Sequence, residues 1–197
     1  MRIKKILKEL KEHVPFTFLA VAVSIGVVVF VRYYLVKELS EEFFHFFHFS
    51  HIIVSAMVTG ALYYKYKEKI INALVVGFSG ALIIGSLSDI IFPYLGGLIL
   101  GLDIHFHLPL IEETASVLIF AFIGSLAGVI FKITKFPHFA HVFLSVFASL
   151  FYILIFSPVF VLSHFVGAFF VVFLAVIIPC CVSDIIFPLL FIKQKPQ

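Results

Sequence analysis

The chain has 197 residues, of which 62% are hydrophobic and only 13% are charged, and its formal net charge at neutral pH is +3. A soluble domain is about half apolar and about a quarter charged. A core of this size cannot bury so many apolar side chains. The composition therefore excludes an ordinary soluble domain, offers no sign of a nucleic-acid partner, and predicts a protein whose solvent is the lipid bilayer.

The predicted elements are all helical. Residues 1–13 form a basic, amphipathic segment that we interpret as a cytoplasmic surface helix, and residues 193–197 form a short cytoplasmic tail. A transmembrane helix needs about 20 apolar residues. Six stretches between these ends meet that requirement: 14–36, 43–64, 70–95, 109–131, 138–159 and 164–191. We therefore predict an all-α polytopic membrane protein.

The basic residues predict the orientation of these spans. All of the 14 basic residues except Arg32 and Lys37 lie in the N-terminal segment, in two alternate connections, or after the last span. Basic residues are retained in the cytoplasm. We therefore expect a multi-pass protein of the cell membrane with both termini in the cytoplasm.

Two short motifs are repeated. The hexapeptide SDIIFP occurs at Ser88–Pro93 and at Ser183–Pro188, and the motif HFxH occurs at His48–His51 and at His138–His141. In each half of the chain, HFxH opens the second span and SDIIFP ends the third. This order predicts two related units of three spans, residues 14–102 and residues 103–192.

Three is an odd number of spans, so the second unit must enter the membrane from the opposite side. Such inverted repeats are common in secondary transporters, in which the two halves exchange roles between states open to either side. Pro93 cannot donate a backbone hydrogen bond, so we also predict that the helix breaks near Asp89 and is followed by a short re-entrant segment. A well-capped span end at the interface is the alternative for this hexapeptide.

The residues suited to binding a cation are histidines and carboxylates. His45, His48 and His51 share one helical face, and a pair of imidazoles at this spacing can bind one metal ion. We predict outer ligands at His48, His51, Asp89, His105, His107, Glu112 and Glu113, and inner ligands at His138, His141 and Asp184. This set of nitrogen and oxygen atoms suits Zn, Mn or Fe. The alternatives are interfacial anchoring by the histidines and an acidic vestibule that binds no ion tightly.

These residues lead us to expect a transporter of a small cation, divalent or coupled to protons, that forms a homo-oligomer or acts alone. Two other functions stay open, a membrane-embedded metal-dependent hydrolase and a structural or assembly subunit of a membrane complex. Gly77-Phe78-Ser79-Gly80 resembles the nucleophile motif of rhomboid proteases, but the chain has no Trp. A glycine-rich motif in a membrane helix is more typical of helix packing, so we do not favour an enzyme.

Three longer stretches resemble a family of prokaryotic multi-pass membrane proteins that has no established activity. They are FHLPLIEE, FPHFAHVFLS and PCCVSDIIFPLLF, and the resemblance extends from the second span to the sixth. It implies a membrane location and carries no mechanism.

Overall fold

The structure is a computed structural model that describes residues 2–30, 34, 39–132, 135–157, 162–181, 187 and 191. Every element in these ranges is helical, and they contain no β-strand. The α-helices are α1 Arg2–Phe30, α2 Glu41–Lys67, α3 Ile70–Ser86, α4 Phe92–Ile99, α5 Pro109–Glu112, α6 Thr114–Phe131, α7 Lys135–Phe156 and α8 Phe165–Ala175. Two π-helical turns, Leu87–Ile91 and Val176–Cys181, and a 3₁₀ turn, Leu162–His164, complete the described elements.

Three helical segments are long and apolar enough to span a membrane: Glu41–Lys67, Ile70–Ile99 and Thr114–Phe131. They coincide with the second, third and fourth predicted spans. Three further apolar helices are shorter: Thr17–Phe30, Ala140–Phe156 and Phe165–Pro179. The first, fifth and sixth predicted spans extend past these helices into residues outside the described ranges. The chain is thus all-helical with three candidate membrane-spanning helices, and the count of six stays a prediction.

The distribution of side chains is inverted relative to that of a soluble protein. Large apolar side chains face outward, and Ile71 is 76% exposed and Ile99 is 85% exposed. By contrast, His48, His51 and Asp89 are fully buried. An apolar exterior is the surface that lipid favours, because lipid tails offer polar groups no hydrogen bonds.

Helix α2 lies at the centre of the bundle and contacts α3, α6 and α7. Two of these contacts require glycine. A Cβ at Gly77 would lie 2.7 Å from the carbonyl oxygen of Ala56 in α2, and a Cβ at Gly124 would overlap the backbone of Ile53. The hydroxyl of Ser79 donates to the Val75 carbonyl of its own helix at 2.7 Å. The Gly-x-Ser-Gly motif therefore serves helix packing, as small residues do in membrane helices.

Helices α2 and α7 run antiparallel and are joined by aromatic contacts. Phe43 lies against Phe151, with ring centroids 5.8 Å apart, and Phe47 lies against Phe147 at 4.9 Å. Along these contacts the residue numbers increase in α2 and decrease in α7, so the two helices are antiparallel. This pairing sets which polar residues of the two helices meet.

The predicted break near Asp89 does not occur. Helix α3 continues through the π-helical turn Leu87–Ile91 into α4, and the amide of Phe92 donates to the carbonyl of Leu87, five residues earlier. Pro93 lacks the amide that would bond to the Asp89 carbonyl. A π turn inserts an extra residue into the helix and accommodates such a lost bond without ending it, and turns of this kind are frequent at functional sites.

Candidate functional site

Five polar residues form what we call the buried cluster: His48, His51, Ser88, Asp89 and Ser145. The Nδ1 atoms of His48 and His51 lie 2.9 Å and 2.6 Å from the same carboxylate oxygen of Asp89, Oδ2. The hydroxyls of Ser88 and Ser145 donate to the other oxygen, Oδ1, at 2.7 Å and 2.9 Å. All five side chains are buried.

Three elements position the buried cluster. His48 and His51 are separated by one turn of α2, so both rings project from one face. The π-helical turn presents Ser88 and Asp89 to that face. Helix α7 supplies Ser145 and also Ser149, whose hydroxyl donates to the Ser88 carbonyl at 3.0 Å. The turn is thus bound on one side by imidazoles and on the other by hydroxyls.

The four hydrogen-bond donors offset the free-energy cost of burying Asp89 as an ionised carboxylate. A carboxylate buried without partners costs many kcal/mol, whereas a fully hydrogen-bonded one persists. Each histidine presents Nδ1 to Asp89, so in a neutral ring that nitrogen carries the hydrogen and Nε2 keeps its lone pair. Asp89 therefore acts here as a hydrogen-bond acceptor for both rings.

His141 also reaches this region. Its ring is fully buried and lies 4.8 Å from the ring of His51, in an edge-to-face arrangement. The sequence placed His141 in an inner set of ligands, away from His51, and the structure brings the two together. The side chain of His138 and all of Asp184, the other two members of that set, lie outside the described residues.

A second group, which we call the end cluster, lies where α2 begins and contains Glu41, His45, His107, Glu112 and Glu113. The Nε2 atoms of His45 and His107 are 2.9 Å apart. The Nδ1 atom of His45 lies 3.1 Å from Glu113 Oε1, and the Nδ1 atom of His107 lies 2.7 Å from Glu112 Oε2. Both imidazoles therefore have a carboxylate behind them and face each other.

The loop that carries His107 is fastened to the last turns of α7. The amide of His107 donates to the hydroxyl oxygen of Tyr152 at 3.0 Å, and the amide of His105 donates to the Phe156 carbonyl at 2.8 Å. The side chain of His105 is exposed. His105, which the sequence suggested as a ligand, thus contributes its backbone to the loop, whereas His107 contributes its ring to the cluster.

The carboxylates of the end cluster are open to solvent, and Glu112 is held by the backbone. The pKa of Glu112 lies below its ordinary value, chiefly because its carboxylate accepts the Leu108 amide at 3.0 Å and also because it faces the His107 ring. Glu112 is therefore ionised at neutral pH. Three residues of this cluster could hold a metal ion: Glu41, His45 and His107. One carboxylate oxygen of Glu41 and one ring nitrogen of each histidine all lie within 4.8 Å of one another.

A buried ring, Phe44, lies between the two clusters. It stacks on His48 with centroids 5.3 Å apart and meets His107 edge-on at 5.9 Å. Phe44 is fully buried. Phe49 likewise contacts a histidine of each cluster, with ring centroids 5.6 Å from His45 and 5.9 Å from His48. The two clusters are therefore close neighbours with aromatic rings between them.

Several of these residues were missing from the predicted ligands. Glu41 and His45 precede the HFxH motif and have no counterpart in its second copy, so the repeat could not indicate them. Ser145 could have been found, because the motif is longer than four residues: His51 is followed four residues later by Ser55, and His141 by Ser145. The serine of the second copy completes the Asp89 site of the first.

The fold and the two clusters define an all-helical protein with candidate membrane-spanning helices and an ionisable site buried among them. Comparison with protein-family models, with curated proteins and with solved structures finds no match to the chain. The function is therefore argued from the clusters alone.

Proposed function

We propose that the protein is a six-span inverted-repeat transporter that carries a small divalent cation across the cell membrane. The observation that carries this proposal is the burial of Asp89 between His48 and His51 inside a bundle with an apolar exterior. Asp89 is a buried carboxylate that accepts hydrogen bonds from both imidazoles. Ionisable groups at such positions are expensive and mark the paths of ions and protons.

The depth of the buried cluster suits such a path. His51 lies ten residues after the start of α2, and Asp89 lies ten residues before the end of the segment Ile70–Ile99. At a rise of about 1.5 Å per residue, each is about 15 Å from its helix end. The segment Ile70–Ile99 has 30 residues and is about 45 Å long. The hydrocarbon core of a bilayer is about 30 Å thick, so in a membrane centred on this segment Asp89 lies about 7 Å from the midplane, inside the hydrocarbon. Transporters of this architecture bind their cargo near the midplane.

The contacts between α2 and α7 support the inverted repeat. His51 and His141 are equivalent positions of the two HFxH copies, and their rings touch. Equivalent residues of two inverted units meet where the pseudo-twofold axis passes, so we place the axis between these two rings. Phe47 and Phe147 then pair on one side of it.

Two buried hydroxyls extend the same argument. Ser55 and Thr59 of α2 correspond to Ser145 and Ser149 of α7, which bind the Ser88–Asp89 turn. Within the described part of the chain, neither Ser55 nor Thr59 has a hydrogen-bond partner, although both hydroxyls are buried. Buried hydroxyls are rarely left unpaired. We propose that they serve the second copy of the hexapeptide, as their counterparts serve the first.

The experiment that tests the proposal is flux of Zn²⁺ into liposomes that contain the purified protein and a trapped metal-sensitive dye. We expect Asp89→Asn to abolish flux, because a neutral amide removes the negative charge of the buried cluster. Ser125→Ala is the matched control, since Ser125 is equally buried but donates only to the Ala121 carbonyl of its own helix. Flux that survives Asp89→Asn, or that is absent from the unaltered protein, contradicts the proposal.

A second variant in the same experiment tests the inverted repeat. Asp184 occupies the position of Asp89 in the second hexapeptide, so Asp184→Asn is expected to abolish flux as well. A hydrolase whose chemistry is confined to the end cluster would keep its hydrolytic activity in both variants. A subunit with a purely structural role would keep its assembly with its partner in both variants.

A further inference from the structure

We propose that the end cluster is a binding site for a divalent transition-metal ion of the zinc class, with Glu41, His45 and His107 as its ligands. The site deepens the proposed function by naming where the cargo is first bound, and in that respect it rests on it. It differs from the sequence-based assignment, in which neither Glu41 nor His45 was a ligand and Asp89 was one.

The placement of the two imidazoles is the main argument. The Nδ1 atom of His107 lies 2.7 Å from a carboxylate oxygen of Glu112, and the Nδ1 atom of His45 lies 3.1 Å from one of Glu113. The two Nε2 atoms face each other at 2.9 Å, a hydrogen bond in which one of them carries a hydrogen. A metal ion that displaces this hydrogen would be bound by the lone pairs of both nitrogens.

The distance is close to what a metal ion needs. Zinc binds imidazole nitrogen at about 2.0–2.1 Å, so two nitrogens on a tetrahedral ion lie about 3.3–3.4 Å apart. The two Nε2 atoms would therefore need to move apart by only about half an ångström to bind the same ion. Glu41 is the third ligand, because one of its carboxylate oxygens lies within 4.8 Å of one ring nitrogen of each histidine.

The remaining carboxylates fit a supporting role. Histidines that bind metal almost always donate their other nitrogen to a carboxylate or carbonyl, which fixes the ring and raises its basicity. Glu112 and Glu113 occupy those positions here. Three protein ligands leave a coordination position open, and the side chain of Glu112 is 50% exposed. Such a site exchanges its ion with solvent, as a cargo site must, whereas structural zinc sites have four protein ligands.

Binding of Co²⁺ to the purified full-length protein in detergent, after treatment with a chelator, tests the site without any measurement of flux. We expect one Co²⁺ per chain, with the intense visible absorption of a tetrahedral ion, and competition by Zn²⁺. His107→Asn and His45→Asn are expected to lower the affinity more than 100-fold. Glu112→Gln, at a position whose side chain is 50% exposed, is expected to lower it about 10- to 100-fold.

One matched variant decides the assignment. His105→Asn removes an exposed imidazole from the same loop, and we expect it to leave the affinity unchanged. A protein that binds Co²⁺ at the end cluster but carries no Zn²⁺ into liposomes would support this site and contradict the proposed function, so the two failures give different results. The inference is overturned if Co²⁺ does not bind, if His107→Asn and Glu112→Gln bind it normally, or if His105→Asn weakens it as much as they do.

Discussion

The buried cluster and the end cluster use the same side chains in opposite ways. In the buried cluster one carboxylate serves two histidines, and no member is open to solvent. In the end cluster each histidine has its own carboxylate, and the carboxylates are partly exposed. One carboxylate shared by two rings concentrates negative charge at a single point, whereas two separate carboxylates turn both rings toward a shared centre. The number of carboxylates per imidazole thus decides whether the rings converge on a carboxylate or on each other.

The buried cluster should carry much more of the stability of the fold than the end cluster does. Asp89→Ala removes the acceptor of four buried side-chain hydrogen bonds. We expect the free energy of unfolding to fall by about 3–5 kcal/mol, as for other broken buried pairs. Circular dichroism during unfolding by sodium dodecyl sulfate in mixed micelles measures this change. A loss no larger than that of Ser125→Ala would show that Asp89 is not the centre of the cluster.

Ser145→Ala tests the part of the buried cluster that comes from the second half of the chain. It removes one hydrogen bond to the Asp89 carboxylate. Hydrogen bonds to charged groups contribute about 1.5–3 kcal/mol, and we expect a loss in that range by the same unfolding assay. If the stability is unchanged, α7 does not contribute to the Asp89 site.

Ser55→Ala sharpens the comparison between the two copies of the motif. If the Ser55 hydroxyl serves the second hexapeptide, its removal should cost about as much as Ser145→Ala, at most about 3 kcal/mol. If it is truly unpaired, its removal should leave the protein equally stable or more stable, because an unsatisfied buried hydroxyl is itself unfavourable. The sign of the change in unfolding free energy therefore decides whether the repeat extends to these serines.

Glu113→Gln is expected to have the smallest effect on stability. Glu113 is about one-third exposed and pairs with His45 at 3.1 Å, and exposed ion pairs contribute at most about 1 kcal/mol. The same substitution should weaken Co²⁺ binding about tenfold, because a carboxylate behind a metal-binding histidine supports it. A large loss of stability would mean that the end cluster, like the buried one, is a structural element.

Much of the buried cluster could be predicted because its residues lie in motifs that occur twice. His48, His51 and Asp89 were chosen from the repeat, and the structure brings them together. The helix break near Asp89 was predicted wrongly, because the loss of one amide at Pro93 suggests an end to the helix, and a π turn accommodates it instead. His45 was noted on the same face as His48, but its partner His107 comes from a loop 62 residues away, and no local pattern connects the two.

Composition and periodicity were enough to predict a helical chain, apolar enough to span a membrane, in which a few ionisable residues stand out. These are properties of composition and periodicity, which act along the chain. The tertiary structure decided which atoms meet: Asp89 with Ser145 across 56 residues, His51 with His141, and the two Nε2 atoms of the end cluster. Such contacts depend on how α2 packs against α7 and on where the loop after α4 is fastened, and packing is a property of several helices together.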